Sequence, residues 1–415
     1  MKRLIVRALF WGSFVLSTSS VWASNGLQVI GAGPDDIALG GAGVANPNSA
    51  HAIYINPAGM NDIGNRADLS FTIAFPKTSM GTSLAKAGNP TAVSVKGSGD
   101  AVILPNGSFV FSFGENHRFS LGVGAIFSGG FSIEYPQSRI SNLITKNTYD
   151  LSGRYANFKI LPAFSYRVMK NLSLGAALDI NYALFQTDNA LPLPGFPQTT
   201  GRDRTDSALG IGARIGFIYQ PHERIKVGAM YVTRQHFEKF KRYNDLFNNA
   251  GLDLPQQVVV GVSVVPFEGA TWLADFKWLN WDSGFLGRPV TRGGLDWRDQ
   301  YVLATGFQYN FRPHFHFPLT LRLGYNYGRS PVGKGNTFQN LLVPTTVENH
   351  LTTGMSFEIT KHIGVDAAYV HEFQKTLTDD GSVNPLFSGA FFKSSAEAFS
   401  IGIHGAWGHQ ERASN

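Results

Sequence analysis

No cysteine occurs among the 415 residues, so disulfides, thiolate metal centres and cysteine nucleophiles are excluded. Charge is scarce as well. Asp, Glu, Lys and Arg make up 15% of the chain, against about a quarter in ordinary soluble proteins. Beyond the N-terminus no apolar run reaches the ~18 uncharged residues that a membrane-crossing helix needs, which removes helical membrane proteins from consideration. Aromatic residues, by contrast, are 13% of the chain, with 32 Phe. A disordered chain would show the reverse balance, high charge and few aromatics. Glycine numbers 46 but follows no strict period, so a collagen-like chain is excluded too.

The first 23 residues read as an export signal. Lys2, Arg3 and Arg7 precede an apolar core from Ala8 to Leu16, and Val21-Trp22-Ala23 supplies the small residues a signal peptidase requires. Cleavage is expected before Ser24. It removes three positive charges and halves the formal net charge of +6, so nucleic acid is not an expected partner. The basic group Lys239, Lys241 and Arg242 contains Glu238 and sits in a loop pattern, which argues the same way.

From Ala67 onward the dominant signal is period two. Leu172, Leu174, Leu178 and Ile180 alternate with Ser173, Gly175 and Asp179, and Leu321, Leu323, Tyr325 and Tyr327 alternate with Arg322, Gly324 and Asn326. Such alternation means strands with one apolar and one polar face. About fourteen are expected, among them 67–76, 117–131, 155–168, 171–186, 223–236, 362–373 and 395–408. Many match the ~9–11 residues that cross a bilayer at a tilt. Trp272, Trp278, Trp281, Trp297 and Tyr301 fall near strand ends, where interfacial girdles are expected. The links alternate as well: tight after even-numbered strands, long after odd-numbered ones (77–100, 132–154, 187–205, 237–254, 281–297, 328–347 and 374–394). Short turns at one end and long loops at the other describe an all-β, transmembrane antiparallel barrel with periplasmic termini, in the outer membrane of a Gram-negative bacterium.

In hydrocarbon every backbone N–H and C=O needs a partner within the protein, so a spanning sheet must close. The polar face then lines the lumen, with Asp179, Arg214, Asp275, Lys277, Arg322, Glu358 and Asp366 as interior candidates. Both signs occur, which predicts a mutually neutralising network. Residues 24–66 do not alternate; they are rich in Gly and Ala and contain Asn46-Pro47 and Asn56-Pro57. This composition suits a hatch folded inside the barrel, because small residues let backbone pack against the lumen wall. The expected organisation is therefore a signal peptide at 1–23, a hatch at 24–66, a barrel at 67–408 and a tail at 409–415. Barrels of this kind usually end on an aromatic residue; here Trp407 is internal, so either the tail is tolerated or the internal aromatic is recognised by the barrel-assembly machinery.

Several motifs occur in order: Ser24-Asn25-Gly26-Leu27-Gln28, Asn56-Pro57-Ala58 within Tyr54–Met60, Leu161–Val168 followed by Asn171–Gly175, Leu254–Gln257, Trp278–Trp281, and Leu321–Tyr325 leading to Ser330-Pro331-Val332. Together they resemble the FadL-type outer-membrane transporters of long-chain fatty acids and aromatic hydrocarbons, with Asn56-Pro57-Ala58 matching the family's hatch motif. The resemblance implies a fourteen-stranded barrel plugged by its N-terminal hatch. It also implies passive uptake: a hydrophobic solute is captured outside, passes to a pocket touching the hatch, and leaves through a gap made by an inward kink of the third strand. Ser128-Gly129-Gly130 occupies the matching place, and paired glycines suit a bulge or bend.

The resemblance further implies basic residues for a fatty-acid head group. Arg292 stands in the loop before strand ten, but Asn189 replaces the basic residue expected after strand five, with Arg202 and Arg204 following. A more neutral pocket would suit aromatic hydrocarbons or alkanes. Ile140, Leu143 and Ile144, at helical spacing, suit an external capture surface, and Leu191, Leu193 and Phe196, interleaved with prolines, suit an opposing wall. Expected partners are hydrophobic small molecules, outer-membrane lipids and lipopolysaccharide, and the assembly machinery, with the chain a monomer.

No cofactor, metal or catalytic residue is expected. His371-Glu372 lacks a second His four residues after the first, no Gly-x-Ser-x-Gly elbow occurs, and Gly31-Ala32-Gly33 lacks the strand and third glycine of a dinucleotide loop. Two rival readings use the same architecture: a structural or adhesive barrel with surface-binding loops, and an outer-membrane hydrolase with a rim Ser and His.

Overall fold

Fourteen antiparallel strands form the wall, each hydrogen-bonded to its sequence neighbour and the last to the first. The structure is a computed structural model and describes residues 25–82, 93–98, 101–138, 149–188, 204–343 and 345–408. The strands are β1 Asn65–Thr82, β2 Val102–Phe113, β3 Phe119–Ser138, β4 Tyr149–Met169, β5 Leu172–Asp188, β6 Asp206–His222 and β7 Ile225–Val232. They continue with β8 Gln257–Val264, β9 Ala270–Leu279, β10 Gln300–Asn310, β11 Leu319–Gly328, β12 Asn349–Glu358, β13 Ile363–Thr378 and β14 Phe391–Trp407. Closure runs from Asn65 opposite Trp407 to Gly81 opposite Phe391. Two short pieces, Val93–Lys96 and His236–Phe237, add to β1 and β6.

The expected count of fourteen and the alternation of short and long links both hold. The strand ends differ on the long-loop side: β1 continues to Thr82, β3 to Ser138 and β13 to Thr378. Above the bilayer neither face has to be greasy, so the alternation stops while the ladder goes on; Lys77, Thr78 and Ser79 still pair with Ser395, Ser394 and Lys393. β1 also begins at Asn65, so Asn65 and Arg66, expected in the hatch, belong to the wall.

Polarity is inverted relative to a soluble protein. Leu69 and Phe71 face outward at 50% and 43% exposure, whereas Asp68, Ser70 and Thr72 between them are buried. Each outward Leu, Ile or Phe gains about 1.5–3 kcal/mol by leaving water, which fits a wall immersed in lipid. Phe111, Phe113, Phe119 and Tyr166 stack in a row beside the β2–β3 turn, as an interfacial girdle requires. Trp272 and Tyr301 also face outward. Trp281 and Trp297 do not: both are buried beneath the loops, packed edge to face at 5.2 Å. They sit past the end of β9 and before β10, in a loop that folds back over the lumen rather than in the wall.

Residues 25–64 lie against the inward face of the wall and are almost wholly buried. They form short helices, α1 Pro34–Ala38, α2 Ala52–Ile55 and α3 Met60–Ile63, joined by irregular backbone. The wall satisfies that backbone. Asp275 Oδ2 accepts from the amides of Gly43 and Val44 at 2.8 and 3.0 Å, Lys277 donates to Gly41 O at 2.7 Å, and Asn326 donates to Gly40 O at 2.9 Å. Hydrogen bonds to charged groups contribute about 1.5–3 kcal/mol each, so the interior charges hold this segment in place.

Candidate ligand pocket and wall seam

The Asn-Pro-Ala motif ties the inner segment to two wall strands. Asn56 Nδ2 donates to Val44 O at 2.7 Å and to Phe217 O of β6 at 3.1 Å, and its Oδ1 accepts from the Ala58 amide at 3.1 Å. Pro57 opens a single helical turn, Pro57–Gly59, where its missing N–H costs nothing. The turn packs directly on Gly175 of β5: a Cβ there would lie 2.3 Å from both Pro57 C and Ala58 N.

Below the loops the lumen axis is lined by charged side chains. Asp179 accepts from Lys159 at 2.8 Å and from two nitrogens of Arg214 at 2.6 and 2.8 Å, all buried. Arg214 also donates to Tyr54 O. Asn157 Nδ2 reaches Ser128 Oγ at 2.7 Å and Asn181 Oδ1 at 3.0 Å, and Asn181 reaches Gln235 at 2.9 Å. A cavity of about 50 Å³ is enclosed here, with Lys159, Arg214, Asp275 and Lys277 in its lining. The expected neutralising network thus includes Lys159, which sits in a strand whose alternation is obscured by Pro162.

The wall is interrupted between β2 and β3. Their ladder runs from Phe113 opposite Phe119 only to Asn106 opposite Ile126. Beyond it, among the described residues, Val102–Pro105 of β2 have ladder partners in β1 alone. β3 turns instead toward the inner segment, with a register irregularity between Phe127 and Gly129. Gly129 bridges Gln28, and the Val29 amide donates to Ser128 O at 3.4 Å. Only glycine permits this approach, because a Cβ on Gly129 would lie 1.8 Å from Leu27 O. Asn106 closes the end of the ladder with its side chain, accepting from the Phe127 amide at 2.7 Å and donating to Ala32 O at 2.6 Å. Val102, Leu104 and Phe127 along this seam share an apolar cluster with Val29 and Ile30.

Above the charged axis lies a second cavity of about 100 Å³. Its lining comes from Leu27, Phe131 of β3, Phe185 of β5, and the three long loops 233–256, 280–299 and 329–348: Leu246, Phe247, Leu252, Phe285, Leu286, Leu295, Phe338, Gln339 and Leu341 through Val343. Phe247 packs edge to face on Phe185 and on Phe285, each at 5.0 Å. Thr187 and Gln339 are the only polar side chains among the described lining residues, and none is charged. An apolar cavity of roughly 150 Å³ takes up benzene; this one, at about 100 Å³, is somewhat smaller but of the same order.

Arg292 does not reach that cavity. It is exposed on a single turn, Val290–Arg292, where its carbonyl accepts from Asn248. Arg204 is exposed as well, its carbonyl accepting from Tyr243 Oη at 2.9 Å. Ile140, Leu143, Ile144, Leu191, Leu193, Phe196 and Arg202 lie outside the described residues. The loop aromatics that line the cavity escaped a search for strand periodicity, although their excess of Phe and Leu over ordinary exposed loops was a usable signal. Among the described residues, Asp68, Asp366 and His404 alone bring metal-ligating atoms together. Arg66 occupies Asp68 at 2.8 Å, and His404 is engaged by Asp366 at 2.7 Å and Glu358 at 3.2 Å, so the group is a closed ionic net.

This architecture matches solved structures of known channels. The toluene transporter TodX of P. putida shares 16% identity at a TM-score of 0.69, over 92% of this chain and 99% of that one. A FadL homologue of Pseudomonas aeruginosa gives 16% and 0.67 over 92% and 99%. The toluene transporter TbuX of Ralstonia pickettii gives 18% and 0.67 over 91% and 98%. No curated protein matches the sequence. The family model for the outer membrane protein transport protein (OMPP1/FadL/TodX) matches residues 15–404, and the chain therefore belongs to that family of outer-membrane channels for hydrophobic compounds.

Proposed function

We propose that the protein passively admits small, uncharged hydrophobic molecules, with single-ring aromatic compounds as the favoured class, and releases them sideways through the seam between β2 and β3. The observation that carries this reading is the uncharged lining of the loop-side cavity. Burying an unpaired carboxylate costs several kcal/mol, and no described lining residue would offset it, whereas an apolar solute gains about 0.8 kcal/mol per methylene. A path is continuous in chemistry: Leu27 and Phe131 belong to the apolar cluster around the cavity, while Val29 and Phe127 belong to the cluster at the seam. The axial alternative passes buried Lys159, Asp179 and Arg214. Residues 25–64 act as the hatch, and one chain suffices, since pocket and seam belong to the same barrel.

Titration of the purified protein in detergent with toluene and with oleate tests the reading. Toluene binds, and Arg292→Ala leaves that binding unchanged. Gly129→Val, which forces β3 away from Leu27, abolishes saturable toluene uptake into expressing cells while binding persists. Oleate binding that depends on Arg292, with no binding of toluene, would return the protein to carboxylate transport. Binding of neither would favour the adhesive reading.

A further inference from the structure

Among the described residues, the lining of the apolar cavity includes one polar side chain whose hydrogen-bonding capacity is not taken up. Thr187 is engaged: its hydroxyl donates to Ser152 O at 2.7 Å and its amide donates to Tyr243 Oη at 3.2 Å. Gln339 is more than nine-tenths buried, and its amide oxygen has no hydrogen-bond partner among the described residues. A buried amide left unsatisfied is destabilising, so a side chain placed here calls for a partner that the described residues do not supply.

The position of Gln339 is fixed by its neighbours. It is the middle residue of the turn Phe338–Asn340. The Phe338 amide donates to Asp379 Oδ2 at 3.1 Å, and the Phe338 ring stacks on Phe387 with centroids 3.9 Å apart. Asn340 accepts from Trp297 Nε1 at 2.7 Å and donates to Leu295 O and Asn336 O. An unsatisfied polar group on a rigid turn, at the edge of an otherwise greasy cavity, is a preorganised recognition element.

We infer that the pocket selects hydroxylated aromatics, phenols such as p-cresol, over the parent hydrocarbons, with Gln339 as the specificity-determining residue. A phenol hydroxyl both donates and accepts, so it serves the oxygen of the amide or its nitrogen, while its ring occupies the space among Phe185, Phe247 and Phe285. The inference rests on the reading of this cavity as the transport pocket and narrows its substrate class. A net hydrogen bond of about 1 kcal/mol or slightly more corresponds to a five- to tenfold preference.

Calorimetric titration of the full-length protein in detergent with p-cresol, toluene and 4-methylanisole provides the test. The expected result is p-cresol binding about tenfold tighter than toluene and tighter than the methyl ether. Gln339→Leu removes the preference while toluene binding persists, which also reports that the pocket is intact; Gln339→Met replaces it should the branched side chain prevent folding. Toluene bound as tightly as p-cresol, a preference for the ether, or a p-cresol preference that survives the substitution overturns the inference and leaves the transport reading standing. Failure of all three ligands to bind overturns both.

Discussion

Two buried regions lie within one barrel and are built oppositely. The axial region gathers Lys159, Asp179, Arg214, Asp275 and Lys277, and its charges are neutralised in pairs or tied to the backbone of residues 41–44. The loop-side region gathers Phe185, Phe247, Phe285 and Leu341 around a void. The first is cross-bonded around a void of about 50 Å³; the second is greasy around one of about 100 Å³. The difference teaches where stability is invested and where room for a guest is left. Polar groups fix the inner segment against the wall, because an ordered network in low dielectric tolerates few rearrangements. Apolar contacts, being non-directional, let a ligand replace a neighbour with little penalty.

That contrast can be broken most severely at Asp179. Asp179→Ala leaves Lys159 and Arg214 buried without their counter-charge, and a loss of about 3–5 kcal/mol is expected, read as a lower urea midpoint in detergent. Denaturation unchanged within error would show the axial network to be hydrated rather than structural. A smaller effect is expected in the greasy region. Phe247→Ala enlarges the cavity and weakens toluene binding by about tenfold, equivalent to ~1.4 kcal/mol, measured by calorimetry; tighter binding would place the solute elsewhere. The smallest effect concerns Asp36 of α1, whose carboxyl is held well above the usual range by burial and then by the neighbouring Asp35. A raised folded-state pKa means that stability is complete below the unfolded value near 4 and declines as pH rises toward the folded value. Asp36→Asn should therefore raise the unfolding temperature by a few degrees at pH 7 and have no effect at pH 3, as followed by circular dichroism. Equal gains at both pH values would refute the buried-carboxyl explanation.

The wall was legible in the sequence because each strand has only two environments, lipid and lumen, and Leu323 between Arg322 and Gly324 announces both. Many interior charges were legible for the same reason; Lys159, Asp68 and Glu372, all buried, were not singled out. The loops are different. They obey no period, so Trp281 and Trp297 read as girdle residues although both are buried over the lumen, and Phe247, Phe285 and Gln339 gave no positional signal. Arg292 was singled out through resemblance, whereas the local chain turns it outward on a single helical turn. The paired glycines at 129 and 130 marked the one place where β3 leaves its neighbour, since a backbone-to-backbone approach is a constraint that sequence records directly.

Leu27 lines the cavity, while its neighbour Gln28 bridges the bent part of β3. Consecutive residues thus serve as part of the cavity lining and as the tie that holds the bent strand to the inner segment. On the reading proposed above, a solute that displaces the first loads the second through the peptide bond they share, so filling the cavity would be felt at the seam.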